Sequence, residues 1–169
     1  MQKTVTMVMC ALSAALLAVC AWVAVPSAVP FTLQSLGVYL ILLLLGGKCG
    51  TLTIATYLLL GAVGLPVFAG GGGGVSVLCG VTGGYLWGFL LAAVVFWLWN
   101  PKTPRESVAA LSVGQIVCYL VGSVWFSCLA GDRFGVSVVT CVLPFLLPDA
   151  LKMAVSLWLA PRVKKAVKF

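Results

Sequence analysis

The sequence predicts an all-α polytopic membrane protein: six transmembrane helices, with a long glycine-rich outward loop between helices 3 and 4. Three observations predict it. The chain is 63% hydrophobic and 8% charged, with a mean hydropathy of +1.21, whereas a soluble domain carries about 25% charge. Its apolar residues form long unbroken runs, not the alternating segments of about ten residues that mark a membrane barrel. Its bases sit in short tracts beside those runs, which is how membrane orientation is encoded. Residues 1–169 read as a single six-helix integral membrane domain.

The first run, residues 4–25, follows Lys3 and mimics a signal peptide. No small-residue cleavage site leads from it into a soluble domain, so it is expected to remain as a helix, ended by Pro26 and Pro30. Ala11, Ala14, Ala15 and Ala18 recur at i, i+3, i+4 and i+7 and mark one face. Small residues admit another helix closely, in this chain or in a partner. Residues 31–35 (FTLQS) continue the linker. Two short runs follow, 36–46 and 51–64, about a tight basic turn (GGKCG). Both fall below the roughly 20 residues of a full span, and one broken helix is the competing reading. Residues 64–85 (GLPVFAGGGGGVSVLCGVTGGY) carry no charge. Glycine disfavours helix and frees the backbone, so a long non-helical insert is expected. Its apolar residues predict an ordered lid or pocket wall. The fourth run, 86–99, starts near 82–85. A polar loop, 100–106, leads to the fifth, 107–130. After a turn at 131–133 the sixth covers 134–160 and is bent or restarted near Pro144 and Pro148.

The charges test this count. With six helices and a cytoplasmic N-terminus, Lys3, Lys48, Lys102, Arg105 and the tail bases Arg162, Lys164, Lys165 and Lys168 all lie inside. Only Arg133, beside Asp132, is left outside. This is a positive-inside pattern and places a multi-pass protein in the cytoplasmic (inner) membrane with both termini in the cytoplasm. Five helices would put the tail on the wrong side.

Composition also excludes functions. The net charge of +7 is divided among helix ends and forms no basic groove with interleaved aromatics, so nucleic acid is not a partner. The seven cysteines include no CxxC, and there is no histidine; no metal site is expected, nor any cofactor. The cysteines read as small buried side chains. Lack of histidine removes the usual general base. The glycine run lacks the Lys-Ser/Thr ending of a phosphate-binding loop.

Asp149 and Lys152 remain, inside the last run. Ionisable residues within the membrane are costly, about 2.5–3.5 kcal/mol when central and unpaired, and mark function by default. Their i, i+3 spacing puts them on one face, either as a packing ion pair or as a ligand site. Glycines offer close backbone approach to a ligand. Tyr85 and Trp87 offer aromatic walls with polar tips, Trp87 being expected at the membrane interface. Gln34, in the first outward loop, carries donor and acceptor on one amide.

The segments PFTLQ (30–34), GLPVFAGG (64–71), GVTGGY (80–85) and LPF (143–145), with Asp149 and Lys152, resemble the signature of BioY, the biotin-specific substrate-binding (S) component of energy-coupling factor (ECF) transporters. The resemblance runs from the first helix to the sixth. It departs at Val81, where the family has proline, and in a glycine run without a polar residue. It implies a biotin pocket near the outer face, closed by the loops between helices 1–2, 3–4 and 5–6. Asp149, Lys152, Tyr85, Gln34, Gly70, Gly71, Thr82, Gly83 and Gly84 are then the ligand-binding residues. It also implies that Ala11, Ala14, Ala15 and Ala18 dock on a transmembrane coupling protein, which works with two ABC-type ATPases. An intramembrane enzyme using Asp149 as base and a non-catalytic membrane scaffold are the alternatives.

Overall fold

The computed structural model describes residues 2–25 and 29–167. Seven helices are present among them: α1 (Gln2–Trp22), α2 (Gln34–Ala62), α3 (Val75–Leu78), α4 (Gly83–Trp99), α5 (Pro104–Ala130), α6 (Phe134–Cys141) and α7 (Leu143–Val167). Four of them, α1, α2, α5 and α7, are long and apolar enough to cross a membrane; α4 is apolar but shorter. Pro26 and Lys168 lie outside the described residues. The first helix stops at Trp22, earlier than expected, because the chain turns extended: Ala24–Val25 (β1) pairs antiparallel with Phe31–Thr32 (β2), a small ladder not foreseen. Gln34 is therefore the first residue of α2, not part of a loop.

The 29 residues of α2 are helical throughout except Gly46, whose φ of 77° and ψ of 174° only glycine adopts readily. That one residue reverses the chain. The Gln34 Nε2 donates to the Tyr57 hydroxyl at 3.0 Å across 23 residues, a separation of about 35 Å in a straight helix. A Cβ at Gly50 would lie 3.3 Å from the Leu42 Cα, against about 12 Å in a straight helix. The basic turn expected over five residues is thus a single glycine hinge, and α2 is a helical hairpin. Its arms pack on α1, α4 and α7, and Val38, Ile41, Leu42, Ile54 and Tyr57 join Leu17 of α1 and Ala93 and Phe96 of α4 in one core.

α4 and α5 form an antiparallel seam of small residues. Gly84, Gly88 and Ala92 recur every four residues on one helix, and Gly114, Cys118 and Gly122 on the other. A Cβ at Gly88 would lie 2.8 Å from the Cys118 Sγ and one at Gly114 3.1 Å from the Ala92 carbonyl, while Gly84 faces Trp125 and Gly122 faces the Tyr85 ring. Small residues are what let apolar helices approach where water supplies no driving force. α5 begins three residues before the expected run because TPRE is a helix start: Thr103 Oγ1 accepts from the Glu106 N–H at 3.2 Å, Glu106 accepts from the Lys102 N–H, and Pro104 occupies the first turn. The sixth run breaks at Val142 into α6 and α7, with Pro144 in the first turn of α7.

Residues 64–82 form a strap rather than a wholly non-helical insert. It contains a 3-10 turn, Ala69–Gly71, and the four residues of α3. Its carbonyls are held by side chains from other helices: Trp22 Nε1 donates to Pro66 O at 2.7 Å, Tyr57 Oη to Val67 O at 2.8 Å and Trp125 Nε1 to Gly80 O at 3.0 Å. These bonds place the strap at one end of the bundle. At the other end Cys10 Sγ meets Cys49 O at 3.9 Å and Gly47 packs on Trp97. Lys48 therefore lies at the same end as Lys102 in the loop before α5 and Arg105 in its first turn.

Candidate functional site

The site is built where the start of α2, the middle of α5, the start of α7 and the strap converge. Asp149 and Lys152, one helical turn apart on α7, are 5% and 7% exposed. Lys152 Nζ lies 2.9 Å from Asp149 Oδ1. It also donates to Thr32 O at 2.7 Å and Ser35 Oγ at 3.0 Å, which uses all three ammonium protons. Phe31 presents its ring 4.3 Å from the same nitrogen, a cation–π contact. Phe31 stacks in turn on Phe145.

Asp149 is equally occupied. Besides Lys152, Oδ1 accepts from Ser35 Oγ at 2.7 Å. Oδ2 accepts from Tyr119 Oη at 2.7 Å and Gln115 Nε2 at 3.1 Å, and Gln115 is itself held by the Tyr39 hydroxyl at 2.6 Å. Four donors fill the acceptor positions of both carboxylate oxygens.

The pair opens onto a cavity of about 150 Å³. Gln34, Ser35, Thr82, Tyr85, Gln115 and Tyr119 give it polar groups, and Phe68, Ala69 and Val77 of the strap with Phe89 and Phe145 give it apolar walls. The Tyr85 hydroxyl stands 3.5 Å from Ser123 Oγ. Of the residues expected to bind ligand, Gln34, Thr82, Tyr85, Asp149 and Lys152 line this cavity, whereas Gly70, Gly71, Gly83 and Gly84 do not. Gly70 and Gly71 have φ of 64° and 80° with open space where a side chain would stand, so they shape the strap's turn. Gly83 and Gly84 are pressed against Leu78 and Trp125 and set helix packing. Trp87 is exposed and donates to Leu78 O at 3.3 Å. The alanine stripe of α1 is divided: Ala14 and Ala18 are buried in the bundle, and Ala11 and Ala15 are exposed.

Comparison with known proteins gives this geometry a context. A family model described as the BioY family matches residues 1–169. The chain belongs to the BioY family. It is 44% identical to the biotin transporter BioY of Thermotoga maritima, over 89% of this chain and 90% of that protein. It is 40% identical to the probable biotin transporter BioY of Pyrococcus horikoshii, over 80% and 81%. A crystal structure of the S-component for biotin from an ECF-type ABC transporter superposes with a TM-score of 0.87 at 26% identity, covering 97% of this chain and 93% of that one.

Within this BioY chain, reading the sequence missed Ser35, Gln115 and Tyr119, which hold the ion pair. Gln115 and Tyr119 carried a usable signal: an amide and a phenol four residues apart on one face of an apolar helix, each needing a partner inside the membrane. Ser35 had none beyond its place next to Gln34.

Proposed function

We propose that the chain is the biotin-binding membrane subunit of an ECF-type, ATP-driven vitamin uptake transporter. The observation that carries this reading is the buried Asp149–Lys152 pair at the wall of an amphipathic cavity, under a strap that resembles the BioY pattern apart from Val81 and its unbroken glycine run. Biotin joins a ureido ring, with two N–H donors and a strong carbonyl acceptor, to an apolar thiophane and a valerate carboxylate. Gln34, Thr82, Tyr85, Asp149 and Lys152 answer the polar ends. Gly70, Gly71, Gly83 and Gly84 contribute backbone shape, and Phe68, Phe89 and Phe145 the apolar wall. Neighbours hold the ion pair in place, and a ligand that bonds to Asp149 or Lys152 replaces one of those existing bonds.

The chain forms one integral membrane unit with six crossing segments: α1, the two arms of α2, α4, α5, and α6 with α7. Two observations support this count, the reversal at Gly46 and the gathering of Lys48, Lys102 and Arg105 at the end opposite the strap, with Arg162, Lys164 and Lys165 at the far end of α7. The strap and Arg133 then face outward and both termini the cytoplasm of the inner membrane. Partners are a transmembrane coupling protein, docked on the outward half of the α1 stripe at Ala11 and Ala15, and two ABC-type ATPases. An enzymatic role for Asp149 is disfavoured by its four donors.

The test is equilibrium binding of labelled biotin to the purified subunit in detergent. Saturable binding in the nanomolar-to-micromolar range is expected, and its absence overturns the reading.

A further inference from the structure

We propose that Tyr57 is a positioning residue: a buried latch that ties the cavity to the strap, so that ligand and strap are held and released together. The inference rests on the biotin-binding reading above and deepens it. Tyr57 is 1% exposed and is not part of the cavity wall. Its single hydroxyl is used twice. It accepts from Gln34 Nε2 at 3.0 Å and donates to the Val67 carbonyl at 2.8 Å. Gln34 lines the cavity, and so does Phe68, the residue after Val67. The Phe68 ring meets the Tyr57 ring edge-on, 5.5 Å between centroids at 81°. One helical turn beyond Tyr57, Gly61 supplies the seat on which the Phe68 ring lies. The Gly61 carbonyl accepts the N–H of Gly64 at 3.0 Å and of Gly74 at 2.7 Å.

The last turns of α2 therefore grip residues 64–74 by backbone, by ring and by one phenol, and only the phenol also reaches Gln34. A ligand that fixes the Gln34 amide fixes the Tyr57 hydroxyl, and a fixed hydroxyl keeps its bond to the strap. Withdrawing Phe68 from its seat removes the Val67 carbonyl from Tyr57 and leaves the Gln34 partner free to turn. The expected signature is kinetic: the latch acts on escape from the closed site, and an open strap admits ligand with or without it.

The test is Tyr57→Phe, which keeps the ring against Phe68 and removes both bonds. Association and dissociation of labelled biotin are measured on purified wild type and variant, with hydrogen exchange of the amides of Gly71, Gly72 and Gly74 with and without biotin. Dissociation is expected to be roughly three- to tenfold faster in the variant, the scale of one buried hydrogen bond, with association within about twofold. In the wild type biotin slows exchange at those amides, and in the variant the slowing is reduced. A residue that merely supports the fold would lower the unliganded thermal midpoint and leave the dissociation rate unchanged; that result overturns the latch. Wild-type strap amides that do not respond to biotin overturn it however the variant behaves. A wild type that binds no biotin instead overturns the underlying reading, and the ligand-coupled latch with it.

Discussion

The charges of Asp149 and Lys152 are made tolerable in an apolar setting by hydroxyls, an amide and a carbonyl supplied from far along the chain. Ser35 reaches Asp149 across 114 residues and Thr32 reaches Lys152 across 120. The network predicts unequal losses. Asp149→Asn keeps the shape but turns an amide NH2 toward two donors; biotin affinity is expected to fall at least about tenfold with expression intact. Lys152→Ala removes the counter-charge from a buried carboxylate, a loss of about 3–5 kcal/mol, so the thermal midpoint in detergent should fall along with binding. Tyr119→Phe removes one of four donors and should weaken the fold by about 1.5–3 kcal/mol. If all three variants bind biotin as the wild type does, the ion pair is not the ligand's anchor.

At the scale of elements, hydropathy located the apolar runs to within a few residues, because burial in lipid demands continuous helix. It placed the breaks only to within a few residues. The α6–α7 junction at Val142 depends on Pro144, which reads equally as a bend, and the β1–β2 ladder is two residues a side, below any periodic signal. The hinge at Gly46 sits among three glycines, and only its dihedral angles single it out. Gly46→Ala is expected to destabilise by about 1–3 kcal/mol although open space surrounds the position. Gly135→Ala, in equally open space within α6 but without positive φ, should be neutral or stabilising by up to about 1 kcal/mol. Thermal unfolding of the two variants side by side separates backbone strain from crowding. Equal midpoints would show that the reversal at Gly46 needs no glycine.

For the whole molecule, the division of charge between the two ends predicts orientation. Cys79 is an exposed thiol at the strap end, and Lys102 is exposed at the other. In intact cells or right-side-out vesicles, a membrane-impermeant maleimide should label a variant retaining only Cys79. A variant whose one cysteine comes from Lys102→Cys should react only after permeabilisation. The reverse pattern would invert the topology and put the cavity mouth in the cytoplasm. The bases predict the parity of the crossings because charge placement is a property of sequence alone, whereas the strap's conformation is not legible there: Phe68 in its seat on Gly61 exists only once α2 has folded back.

That fold-back has a lateral consequence. Residues 34–45 and 47–62 rise only about 18 and 24 Å, against a hydrocarbon layer of about 30 Å. With each arm as a crossing segment, lipids beside the hairpin are expected to shorten or disorder their chains to meet it, a mismatch costing fractions of a kcal/mol per Å. The hairpin thus predicts an unequal belt of bilayer, thinnest beside it. Reconstituted into lipids of graded acyl length, the subunit should be most stable in the shorter chains, and a flat response would show that tilt absorbs the whole difference.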